Sequence, residues 1–149
     1  MTILIQFIFR LSFGLALAMW VTPARFVTSG FYRVHLYVLM GLNVLATLAA
    51  WSHSSREEAW LAGIVAAMSY VGSVLWLYEK PRAGSVALGL ISVVSLLGAI
   101  QAADLSAAAT FLDSFLEIAD LGSSGLLIGV TLAAMLLGHW YLNTPTMDL

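Results

Sequence analysis

The chain contains no cysteine, only three prolines, and charge on just 9% of its 149 residues. Without cysteine there are no disulfides, no thiolate metal sites and no cysteine nucleophiles. The scarcity of charge excludes more. A water-soluble domain carries about 25% charged residues. A chain that is 61% hydrophobic cannot cover its folded surface with so few. The six Lys and Arg are scattered and the net charge is −2, so the basic footprint of a nucleic-acid-binding protein is missing. Also missing are a Ser-His-Asp arrangement, a phosphate loop and a metalloprotease helix, so the chain reads as non-catalytic on its own. Nothing outside the apolar runs is long enough to build a second core, which makes residues 1–149 a single domain.

What the chain does contain is a series of apolar runs, over about residues 3–21, 34–51, 59–78, 83–103 and 125–142. Each is close to the ~20 residues with which an α-helix crosses a bilayer core, and the alternation of a barrel strand is absent. The expected fold is an all-α integral membrane bundle of five transmembrane helices. The first run has no positive charge before it and carries Arg10 inside it, so it reads as a retained helix rather than a cleaved signal peptide. Ala24 to Arg33 reads as a short basic, aromatic link. Between runs four and five, Phe111, Leu112, Phe115, Leu116 and Ile118 alternate with Asp113, Glu117 and Asp120. That spacing predicts a short acidic amphipathic helix over about 105–121, lying on the outer surface and broken from the last span by Gly122-Ser123-Ser124-Gly125.

Five crossings place Arg25, Arg33, Lys80 and Arg82 on one side and only Arg56 on the other, beside Glu57, Glu58, Asp104, Asp113, Glu117 and Asp120. Positive charge stays on the cytoplasmic side. The amino terminus is therefore expected outside and the carboxyl terminus in the cytoplasm, in a plasma membrane of the bacterial inner-membrane type. Trp and Tyr near the ends of the runs fit the same frame.

In lipid, small residues mark the faces on which helices pack. Such faces are offered by Ala62, Ala66, Ser69 and Ser73, by Gly89, Ser92 and Ser95, and by Gly125 and Gly129. The last stripe, extended through Leu132 and Leu136, points His139 inward. Polar residues inside the runs need an explanation. Arg10, with Gln6 one turn before it, is the costliest, at about 2.5–3.5 kcal/mol on insertion scales. It either snorkels to the outer surface or pairs with Glu57, Glu58 or an outer acidic residue, or it binds a carboxylate or quinone oxygen or serves a proton path. Asn43, at mid-depth of run two, reads as glue between helices. His35 and His139 fall near the same face of the membrane. Imidazoles from facing helices can ligate a haem b iron or bond a quinone, with Arg33 or Arg25 pairing the propionates. The acidic set Asp104, Asp113, Glu117 and Asp120 reads first as a solvated face, and second as a surface for a basic partner or a divalent cation. No tetrahedral metal set is completed.

Arg10-Leu11 followed by Gly14 resembles the start of the DoxX-like small membrane proteins. The match covers five residues, and the rest of the chain departs from it. Three functional readings follow from the residues. The first is a non-catalytic structural or accessory subunit that packs against other membrane subunits, or against itself, within the lipid bilayer. The second is a haem- or quinone-associated electron-transfer subunit using His35 and His139. The third is a small transporter or channel with Arg10 and Asn43 lining a polar path.

Overall fold

A polypeptide this apolar satisfies its backbone within each segment, and each of the five runs does so as a helix. The computed structural model describes residues 2–25, 27–53, 55–103 and 110–143. It contains α1 (Thr2–Val21), α2 (Ser29–Ser52), α3 (Arg56–Leu77), α4 (Pro81–Ala102) and α5 (Phe111–Asn143), with no strand among the described residues. All five are long and apolar enough to cross a membrane.

The connections show why the helices stop where they do. Pro81 sits in the first turn of α4, where its missing N–H costs nothing. α3 ends in a Schellman turn: Lys80 N–H bonds the Leu75 carbonyl (3.0 Å), and Glu79 N–H bonds Trp76 (3.3 Å). Glu79 takes the left-handed position at φ 53°, where glycine is usual. At the start of α5, Thr110 and Asp113 cap each other. The Asp113 N–H donates to Thr110 Oγ1 (3.2 Å), and the Thr110 N–H donates to the Asp113 carboxylate (3.0 Å).

Two boundaries differ from the sequence expectation by more than a helical turn. α2 begins at Ser29 rather than at Val34, because Phe31 and Tyr32 are buried core residues (2% and 1% exposed) rather than parts of an aqueous link. The larger difference is at the other end. Residues 111–121 are not a separate surface helix; they are the first three turns of α5, which runs unbroken through Gly122-Ser123-Ser124-Gly125. Glycine and serine break helices where water competes for the backbone. Here Gly125 and Ser124 face α1, and packing supplies what propensity withholds. The part of that expectation over 105–109, like Asp104, lies outside the described residues.

Helices α1 to α4 form a closed antiparallel four-helix ring in which each packs on its sequence neighbours and α4 closes against α1. Its core has two halves. One is aromatic and aliphatic, built on Phe31, Tyr32, Leu36, Trp76, Leu88 and Ile91. The other is alanine-rich, with Ala46, Ala50, Ala59, Ala62, Ala99 and Ala102 around Ile5, Ile8 and Phe9. α5 stands outside the ring, packed on α1 and touching α4 only lightly. At 33 residues it is roughly 50 Å long, against a hydrocarbon core of about 30 Å.

Candidate functional site

Three places in the fold carry polar chemistry, and the first is the seam between α1 and α5. Gly14, Gly125 and Gly129 bring the two backbones into direct contact. A Cβ on Gly14 would overlap the Gly125 carbonyl, and one on Gly129 would overlap the Gly14–Leu15 peptide. This close approach aligns Arg10 with α5 one turn below. The Arg10 Nη1 donates to Ser124 Oγ (2.7 Å) and pairs with the Asp120 carboxylate at 3.3 Å. The Arg10 side chain is 21% exposed and that of Asp120 is 70% exposed. Of the partners considered for Arg10, the structure selects an acidic residue of α5 rather than Glu57 or Glu58; Glu57 instead accepts a hydrogen bond from Gln101 (2.5 Å) across α3 and α4. Gln6, Arg10, Glu117 and Asp120 line an open cleft of about 410 Å³, walled by Leu116 and Leu121. With one cation and two carboxylates, that cleft is net acidic.

The second place is the centre of the ring. Asn43 and Ser12 are fully buried, and the Asn43 Nδ2 donates to Ser12 Oγ (2.8 Å) and to the Leu39 carbonyl (2.9 Å). Asn43 thus joins α2 to α1. Thr47, one turn on, donates back to the Asn43 carbonyl (2.7 Å). Ser92, on α4, reaches the Phe13 carbonyl of α1 at 3.4 Å, while Gly89 lies at the flank against the Trp20 ring. Ser69 and Ser73 of α3 are buried and bond their own helix. Two atoms of this centre, Asn43 Oδ1 and Ser95 Oγ, are buried with no hydrogen-bond partner among the described residues.

The third place is the aromatic end of the ring. His35 is 4% exposed, and its Nδ1–H donates to the Phe31 carbonyl (2.5 Å) while its ring lies on that of Phe31, centroids 4.2 Å apart. That bond places the proton on Nδ1 and the lone pair on Nε2. Tyr32 stacks flat on Trp76, centroids 3.9 Å apart, and its hydroxyl donates to the Thr22 carbonyl (2.9 Å). His139 is exposed. The residue of α5 that faces this cluster is its neighbour Trp140, which packs edge-on to Phe31 and donates to Thr28 Oγ1 (3.1 Å). A helical face turns slowly away from a seven-residue repeat. The stripe from Gly125 and Gly129 therefore arrives at Trp140 rather than at His139. Arg33 is half-buried at this end, its Nε without a partner among the described residues.

Arg25 and Lys80 in the two connections, and Arg33 and Arg82 near the starts of α2 and α4, share the aromatic end, whereas Glu57, Glu58, Asp113, Glu117 and Asp120 share the other. Asp113 is occupied as a cap, and Glu117 and Asp120 line the Arg10 cleft. Among the described residues no three His, Asp or Glu stand close enough together to hold a metal ion. Nothing in the residue pattern marks Ser12 or Ser124 as a site residue, and Ser95 is marked only as part of a packing face. The signal for Ser12 was depth: it lies ten residues into α1, Asn43 lies nine from the end of the antiparallel α2, and so the two are level. No family model, no curated protein and no solved structure matches this chain.

Proposed function

We propose that this chain is a membrane-embedded, non-catalytic accessory subunit, inserted with its aromatic, basic end in the cytoplasm and packed through α5 against another membrane subunit. The observation that carries the reading is the first three turns of α5. From Phe111 to Asp120 every residue is exposed except the half-buried Ser114. Phe111, Leu112, Phe115 and Leu116 stand beside Asp113, Glu117 and Asp120 on one short stretch of helix. Lipid suits the first group and water the second; a protein partner with apolar and basic groups suits both. The ring of α1 to α4 closes without this segment, and apart from the Arg10–Asp120 pair its packing does not account for the exposed apolar side chains there.

Photo-crosslinking in intact membranes tests the proposal. A photoreactive residue at Leu112 or Phe115 is expected to give one discrete protein adduct, whereas the same residue at Val93 or Leu97, on the outer face of α4, gives lipid adducts alone. Lipid adducts from all four positions, together with a monomeric mass in nanodiscs, would refute it.

One observation favours a second reading. His35, with Nδ1 tied to a backbone carbonyl, holds the tautomer in which Nε2 is free to ligate a haem iron or accept from a quinol hydroxyl. A reduced-minus-oxidised spectrum of the purified protein decides the haem version: a Soret difference lost in His35→Ala supports it, and a flat spectrum removes it.

A further inference from the structure

We propose that a single buried water molecule binds at the centre of the four-helix ring, bridging Asn43 Oδ1 on α2 to Ser95 Oγ on α4. Both side chains have zero exposure, and neither atom has a partner among the described residues. Their hydrogen-bonding capacities are complementary to a water. Asn43 spends both amide hydrogens on Ser12 and Leu39, which leaves Oδ1 wanting a donor. Ser95 Oγ can donate once and accept twice. Ser12 accepts from Asn43 and keeps its own hydroxyl hydrogen to give. A water donating to Oδ1 and to Ser95, and accepting from Ser12, makes about three bonds, the usual number for a buried water.

The register of α1 puts these groups on one level. Phe9 lies against Gly98, and the Phe13 carbonyl receives Ser92, so Ser95 faces the turn of α1 between Phe9 and Phe13. Ser12, which binds Asn43, belongs to that turn. α2 and α4 are diagonal partners in the ring. Neighbouring axes about 8–10 Å apart put diagonal axes roughly 11–14 Å apart. The two atoms do not bond each other directly, since both lack a partner among the described residues, and a single water is the smallest bridge that satisfies both. Asn43 alone joins two helices; with the water the node joins three.

The test is an experimental map of the full chain in nanodiscs, fine enough to show ordered water, paired with one variant. A water oxygen within about 2.7–3.1 Å of both Asn43 Oδ1 and Ser95 Oγ is expected. In Ser95→Ala, which keeps the packing and removes one anchor, that density weakens while the Asn43–Ser12 bond stays. A direct Ser95–Asn43 hydrogen bond, or a dry node, overturns the proposal. So does an unfolding midpoint that rises with sodium and not with potassium, which would mean a coordinated ion in place of water. If Ser95→Ala fails to fold, the wild-type map decides alone.

Discussion

The two ways in which α1 is gripped could hardly differ more. On one side it enters the ring, where Phe9, Leu15, Ala16 and Met19 interlock with α2 and α4 and over half of its apolar window is buried (56%). On the other side it meets α5 along a contact as extensive as that with α4, in which Gly14, Gly125 and Gly129 bring backbone against backbone and Arg10 bonds Ser124, although only 17% of the apolar window of α5 is buried. Side-chain interlocking spreads its stabilisation over many atoms, so a single substitution removes a fraction. Where backbone meets backbone, as at these glycines, no side chain can swing aside, so one added methyl group meets a fixed obstacle. The ring is therefore expected to tolerate single changes better than the glycine crossing does.

The sharpest break of that comparison is Gly129→Val. The added carbons would occupy the Gly14–Leu15 backbone, which cannot swing aside as a side chain can. A cost of at least about 3 kcal/mol, the upper end for overpacking, is expected to fall on the seam alone. The natural absence of cysteine makes this measurable: Leu17→Cys with Val130→Cys, which line one groove between α1 and α5, should crosslink in the parent and fail to in Gly129→Val. Retained crosslinking would show that the seam yields, and the contrast with the ring would be lost. Next in size is Arg10→Met, which keeps the length of the side chain but removes its bonds to Ser124 and Asp120. Hydrogen bonds to a charged group contribute about 1.5–3 kcal/mol, and the exposure of Asp120 argues for the lower figure. Crosslinking at the same cysteine pair should slow, while the unfolding midpoint of the ring stays put.

Much of the ring was legible from hydrophobic runs, and the seam was not. Length and apolarity identify a helix whichever neighbour it finds, so five helices could be counted without knowing any contact. The seam depends on which face of α5 turns to α1, and two local rules misled there. Gly122-Ser123-Ser124-Gly125 has the composition of a turn in water, yet Ser124 binds Arg10 and Gly125 touches its carbonyl. Carrying the stripe on at seven-residue spacing points His139 inward, and over four turns the drift is enough to exchange it for Trp140. Arg10 itself was conspicuous, since a charge within an apolar run demands a partner. Which of several acids answers it is a matter of three-dimensional register, invisible in one dimension.

The two smallest effects bear on the ring. Gly41 faces outward, and a Cβ there meets nothing within 4 Å. Gly41→Ala should stabilise the protein by about 0.8–1 kcal/mol, the helix-propensity difference alone, without altering α5 crosslinking. A destabilisation would mean that this face of α2 is packed rather than open.

Ser12→Ala is expected to be the mildest disruption. It removes the acceptor of the Asn43 amide at the heart of the ring, yet hydrogen bonds between membrane helices average only about 0.6 kcal/mol, because the unfolded helices find other partners. The loss should appear as a small fall in unfolding midpoint, again with the α1–α5 crosslink intact. The figure of about 1.7 kcal/mol, the largest measured for such a bond, sets the boundary. A greater loss would mean that Ser12 supports more than Asn43, and that the centre of the ring fails as a unit. In that event it would resemble the glycine crossing, sensitive to a single change, rather than the interlocked side chains around it.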